Sequence, residues 1–91
     1  MKNNIYTVKD SCAGFYQRPF TAQSDGAAMR EFADIAKDRE HPIGKHPEHY
    51  SLWRLGTFND VNGEIAVELK ECLAHAHDLL TSETESPGLT A

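Results

Sequence analysis

Asn62-Gly63 sets a tight reversal inside the stretch from Lys45 to Glu68, KHPEHYSLWRLGTFNDVNGEIAVE. Asn-Gly is the strongest short hairpin signal in a sequence, because it accepts the left-handed backbone that hairpin turns demand. On its N-terminal side, Tyr50-Ser51-Leu52-Trp53-Arg54-Leu55-Gly56-Thr57-Phe58 is rich in the aromatic and branched side chains that suit a pleated surface. On its C-terminal side, Glu64-Ile65-Ala66-Val67-Glu68 returns with Ile65 and Val67 on one face and charges on the other. His46-Pro47 opens the stretch with a stiff turn, since proline fixes its own φ and holds the preceding residue extended. The stretch predicts a β-hairpin that carries Trp53, the one tryptophan of the chain.

The remaining segments arrange themselves around that hairpin. Ile5-Tyr6-Thr7-Val8 reads as a first strand, with Tyr6 and Val8 on one face and Ile5 and Thr7 on the other. Gly14 and Pro19 argue against a long element between Cys12 and Phe20, and leave a short extended piece around Phe15–Gln17. Ser24 or Asp25 caps a helix over 24–37, whose apolar face is Ala28, Phe32, Ile35 and Ala36. Asp38 to Glu48 is a polar connection with two prolines and a glycine, of a length that is often functional. Cys72, Leu73, Ala76, Leu79 and Leu80 form the stripe of a second helix over Glu71–Leu80, beginning near Leu69 or Lys70. The acidic, small-residue tail Thr81 to Ala91 is expected to be disordered. The order β-α-β-β-α gives an α+β class: one domain over 1–80, a small antiparallel sheet with two helices.

Charge and cysteine usage narrow the function. The 91-residue chain carries a net charge of −5, which weighs against blanket affinity for nucleic acid. That charge is uneven: residues 1–45 sum to +1 and residues 46–91 to −6, so a polyanion surface is expected in the first half. Cys12 and Cys72 are too few and too far apart for a disulfide framework. The start, MKNNIYTVKD, has no apolar run of signal-peptide length, and no stretch approaches membrane-spanning length. A reducing cytoplasmic setting is the expectation.

Catalytic chemistry finds no footing in the residues. Ser11, Cys12 and Ser51 lack a nucleophile elbow, and the six glycines are dispersed rather than gathered in a phosphate loop. His75 and His77, two apart on a helix, point to different sides, and His46-x-x-His49 has no cysteine at zinc spacing. The chain is therefore expected to be no enzyme, with no cofactor and no metal. A nucleic-acid surface has a positive case. Arg18, Arg30, Lys37, Arg39, Lys45 and Arg54, with Trp53, Tyr16 and Tyr50, mix cations with stacking rings. The counter-case is that carboxylates interleave throughout and that strand aromatics are usually core.

KHPEHYSLWRLGTFND resembles the signature of the small nonstructural protein of gokushoviruses, a branch of the single-stranded DNA phages of Microviridae. That family reads K-H-P-E-D-Y-x-L-[FYW]-x-L-G-x-F-[ND]-D. The chain matches at Lys45, His46, Pro47, Glu48, Tyr50, Leu52, Trp53, Leu55, Gly56, Phe58, Asn59 and Asp60, and departs at His49, where the family has Asp. Ile5–Ser11, Arg18-Pro19-Phe20 and Gly26–Asp34 resemble further family segments, so the likeness spans about residues 5 to 80.

The resemblance implies a non-enzymatic phage accessory protein of the host cytoplasm. It would bind single-stranded DNA or the replication complex during the switch to single-stranded genome synthesis and packaging. Small size and an open sheet face add the expectation of a homodimer through that face or an edge strand, and the lack of a membrane-spanning stretch that of no membrane association. The alternative is an interaction module that engages a phage or host replication protein without touching DNA. The motif also implies core positions at Tyr50, Leu52, Leu55 and Phe58, and test cations at Arg30 and Lys45.

Overall fold

The computed structural model describes residues 2–80. The tail expectation for Thr81 to Ala91 lies outside them. In chain order the elements are β1 (Lys2–Asp10), β2 (Phe15–Tyr16), β3 (Phe20–Ala22), α1 (Asp25–Lys37), α2 (Pro42–Lys45), a 3₁₀ turn (Pro47–His49), β4 (Tyr50–Asn59) and β5 (Ile65–His75). Residues 76–80 are helical. The class is α+β, as expected.

All pairings are antiparallel, and β1 and β4 form the centre of the sheet. β5 lies along the outer edge of β4, while β2 and β3 share the outer edge of β1. Alternation along β1 and β4 separates two faces. Tyr6 and Val8 join Leu52 on one face, and α1 lays Ala28, Phe32 and Ala36 on them; Ile43, Tyr50 and Ala76 complete this core.

The hairpin forms about the expected turn, with Gly63 at φ +76°. The Ser24 side chain accepts from the Ala27 backbone N–H at 3.1 Å and caps α1. Asp25 takes another role. Its carboxylate accepts from the Tyr6 hydroxyl at 2.7 Å and from the Arg54 guanidinium at 2.7 Å. The start of the helix is thereby tied to both central strands.

Three expectations are corrected. The segment read as a helix from Glu71 is the continuation of β5, which runs to His75; helix begins only at residue 76. Pairing decides this, because Cys72 sits opposite Trp53, Ala74 opposite Leu52 and Glu71 opposite Arg54. Secondly, β2 and β3 add two short strands around Pro19, where one short extended piece was expected. Finally, Leu55 and Phe58 are half-buried and lie away from the main core. Both line grooves on the face opposite α1.

Burial pushes the Tyr6 phenol up from 10.0 to about 12, with the Asp25 hydrogen bond adding to the shift. Burial also raises Tyr50, reinforced by the charge of Asp10. The folded chain thus holds these protons more tightly than the unfolded chain. The resulting stability is whole below about pH 10 and is lost as pH rises from about 10 towards 12. Urea unfolding is expected to show lower stability at about pH 11 than at about pH 8, with a shallower decline in Tyr6→Phe. An equal decline in Tyr6→Phe would remove Tyr6 from the cause.

Candidate nucleic-acid interface

The sheet face opposite α1 carries no helix among the described residues. On it, the alternation that puts Tyr6 and Val8 on the α1 side places Thr7 and Lys9; Thr7 is itself buried, and Lys9 is half-buried. Trp53 is paired with Thr7 across the β1–β4 ladder and with Cys72 across the β4–β5 ladder. Tyr16 of β2 is paired with Lys9. These registers bring the two rings together, edge to face, with centroids 6.3 Å apart and planes at 81°.

Two lysines flank the rings. The Lys9 Nζ lies 5.6 Å from the Tyr16 centroid and 6.0 Å from that of Trp53. The Lys70 Nζ lies 5.1 Å and 6.0 Å from the same rings. Both are within the range where an ammonium is drawn to an aromatic face. The Trp53 Nε1–H donates to the Ser51 Oγ at 2.9 Å, which fixes the indole's orientation. The Thr7 hydroxyl donates to the Gln17 carbonyl at 2.6 Å and ties the β2–β3 link to the sheet.

Beyond Lys70 the face becomes apolar. A groove of about 550 Å³ runs along Ile5, Pro19, Leu55, Ile65, Val67 and Leu69. Leu69 is 95% exposed and Val67 88%. Between Arg54 and Gly56 of β4, the paired residues of β5 run from Glu71 to Val67. The strand is bulged there, with Glu68, Leu69 and Lys70 opposite Leu55. This bulge brings Lys70 to the ring pair.

A family model described as Phage ORF5 protein matches residues 3–79, which is nearly the whole described chain. The chain belongs to the Phage ORF5 protein family. It is therefore a phage protein, and the matched span includes both faces of the sheet. No curated protein and no solved structure matches it.

In this ORF5-family chain the nine cation and ring positions expected from the sequence are spread over the molecule. Trp53 is on the open face with Tyr16. Arg18 is exposed in the β2–β3 link, between open-face residues Gln17 and Pro19. Arg30 and Lys37 are exposed on α1, Arg39 follows it, and Lys45 ends α2. Arg54 turns to the α1 side. Its guanidinium holds Asp25 and Glu71 at 2.7 Å each, with Glu68 at 4.0 Å. The neighbouring charge of Asp25 raises its pKa further, so Arg54 is a permanent cation already offset by carboxylates. Tyr50 is buried in the core.

Lys9 and Lys70 were missing from the sequence reading. Lys9 was within reach of it, since it shares a face with Thr7 two residues away. Lys70 was hidden by its assignment to a helix start.

Proposed function

We propose that this ORF5-family protein is a non-enzymatic phage accessory protein that binds single-stranded DNA on its open sheet face. The observation that carries the proposal is the Tyr16–Trp53 ring pair flanked by Lys9 and Lys70. Rings offer stacking to bases of any identity, and flanking ammonium groups meet the phosphates. Duplex DNA keeps its bases stacked inside, so a stacking platform favours the single-stranded form. The net charge of −5 confines the attraction to this local cluster. The setting is the host cytoplasm, and the role is in the switch to single-stranded genome synthesis in a gokushovirus-like cycle.

The apolar groove favours a second reading. Exposed Ile65, Val67 and Leu69 make a patch suited to protein contact. It would seat a second copy of the chain, giving a homodimer with two ring platforms, or a phage or host replication protein.

Fluorescence anisotropy with a labelled single-stranded oligonucleotide separates the readings. Trp53→Ala is expected to weaken binding about tenfold or more, from the loss of one stacking platform. Lys9→Ala/Lys70→Ala is expected to weaken it and to flatten its salt dependence, since two phosphate contacts give a log–log slope of only about −1.4. Arg30→Ala and Lys45→Ala are expected to change it little. No binding at low salt would leave the protein-contact reading, whereas binding untouched by Trp53→Ala would place the DNA away from the open face.

A further inference from the structure

The connection between α2 and β4 brings three metal-ligating side chains together. His46, Glu48 and His49 each offer one donor atom, and these atoms all lie within 4.8 Å of one another. Only Pro47 separates His46 from the other two in sequence. In a 3₁₀ turn, residues three apart eclipse, so His46 and His49 come to the same side. Their rings are stacked, with centroids 5.6 Å apart and planes at 22°. The Glu48 Oε2 is 3.9 Å from the His49 Nε2.

The backbone beneath them is held in place. The His46 N–H donates to the Pro42 carbonyl and the His49 N–H to the His46 carbonyl, each at 3.0 Å. Ser11, just past β1, donates its N–H to the His49 carbonyl at 2.9 Å and its hydroxyl at 3.0 Å. Buried Ile43 and Tyr50 anchor the segment on either side. His41 is excluded from the set, because its Nδ1 accepts from the Ile43 N–H and caps α2. The turn is thus a braced backbone bearing three outward donors, with the Glu48 and His49 side chains 57% and 37% exposed.

We propose that His46, Glu48 and His49 form a binding site for a divalent transition-metal ion of the zinc class. The donor set decides the class. Two imidazoles and one carboxylate suit Zn²⁺, whereas Mg²⁺ and Ca²⁺ seek oxygen-rich shells. Bonds of about 2.0–2.2 Å to one tetrahedral ion require donors roughly 3.5 Å apart, so the side chains close in by on the order of 1 Å. Rotation of these exposed side chains supplies that movement. Three protein donors leave one tetrahedral position for water or for a group from another molecule. His46-x-x-His49 has no cysteine partner at zinc spacing. The third donor is Glu48, supplied by the turn itself. The site shares no residue with the ring platform and does not rest on the DNA reading.

The test is a Zn²⁺ titration of the full chain against a chromophoric chelator, with Co²⁺ absorption to read tetrahedral coordination. One equivalent is expected to bind. His46→Ala and His49→Ala are each expected to weaken binding at least about tenfold, and Glu48→Gln by a smaller factor, as donors are lost from a three-ligand site. His75→Ala/His77→Ala is expected to leave it unchanged. Ser11 grips the His49 carbonyl, not its ring, so His49→Ala is expected to keep the wild-type far-UV circular dichroism. Absence of binding to the wild-type chain would overturn the proposal. So would binding that survives in the His46→Ala/His49→Ala double variant.

Discussion

Phe32→Ala is expected to cost about 3–5 kcal/mol and to leave the domain close to unfolded. The reason is how α1 is attached. Its buried residues are Ala28, Phe32 and Ala36. The two alanines let the helix lie close to the sheet but bury little surface. Phe32, 2% exposed, is the one large side chain of the helix that is fully buried in the core, with Met29 packed against it only in part. Truncation loses its transfer free energy and leaves a cavity among Tyr6, Leu52 and their neighbours. A domain of this size has a total stability of roughly 4–12 kcal/mol, so a single loss of that order removes much of it. Urea unfolding followed by circular dichroism measures the effect. A loss below about 1 kcal/mol would mean that α1 is held chiefly by the Asp25 bonds, not by burial.

Gly56→Ala is expected to destabilise by about 3 kcal/mol or more, through overpacking in the middle of the sheet. Gly56 lies on central β4, between Ile5 of β1 and Val67 of β5. An added Cβ would run into the backbone carbonyl of Ala66 on β5. That oxygen belongs to a strand backbone and cannot swing aside as a side-chain tip does. The methyl group must instead push β5 from β4 where the ladder is already bulged. The same displacement would move Lys70 from the ring pair. Gly56→Ala is therefore expected to lower both the unfolding midpoint and the affinity for single-stranded DNA. Unchanged urea unfolding would show that the β4–β5 ladder adjusts there without cost.

Local chemistry made part of this fold legible in the sequence. Asn62-Gly63 marked the hairpin, Ser24 marked the start of α1, and the spacing of Ala28, Phe32 and Ala36 marked its buried face, although Ile35, expected on the same face, is exposed. Residues 69–80 misled, because Cys72, Leu73, Ala76, Leu79 and Leu80 also fit a helical stripe. What placed most of that segment in a strand was register against β4, some twenty residues away, which no local pattern records. The site divides in the same way. Trp53 and Tyr16 were visible as rings, whereas their meeting depends on pairing across three strands. Arg54 looked like an available cation. Asp25, 29 residues before it, offsets its charge through a contact only the folded chain makes. Lys70 reached the rings through a bulge, and a bulge has no signature in a single sequence.

Trp53 is the one tryptophan of the chain, so its intrinsic fluorescence reads the proposed interface without a label. The deciding measurement is a titration of the wild-type protein with unlabelled single-stranded oligonucleotide, at low and moderate salt. The account predicts saturable quenching of Trp53 as bases stack on it, with the apparent affinity falling as salt rises. Emission that stays constant through the titration, while the labelled oligonucleotide still shows binding, would place the DNA elsewhere and contradict the open-face account.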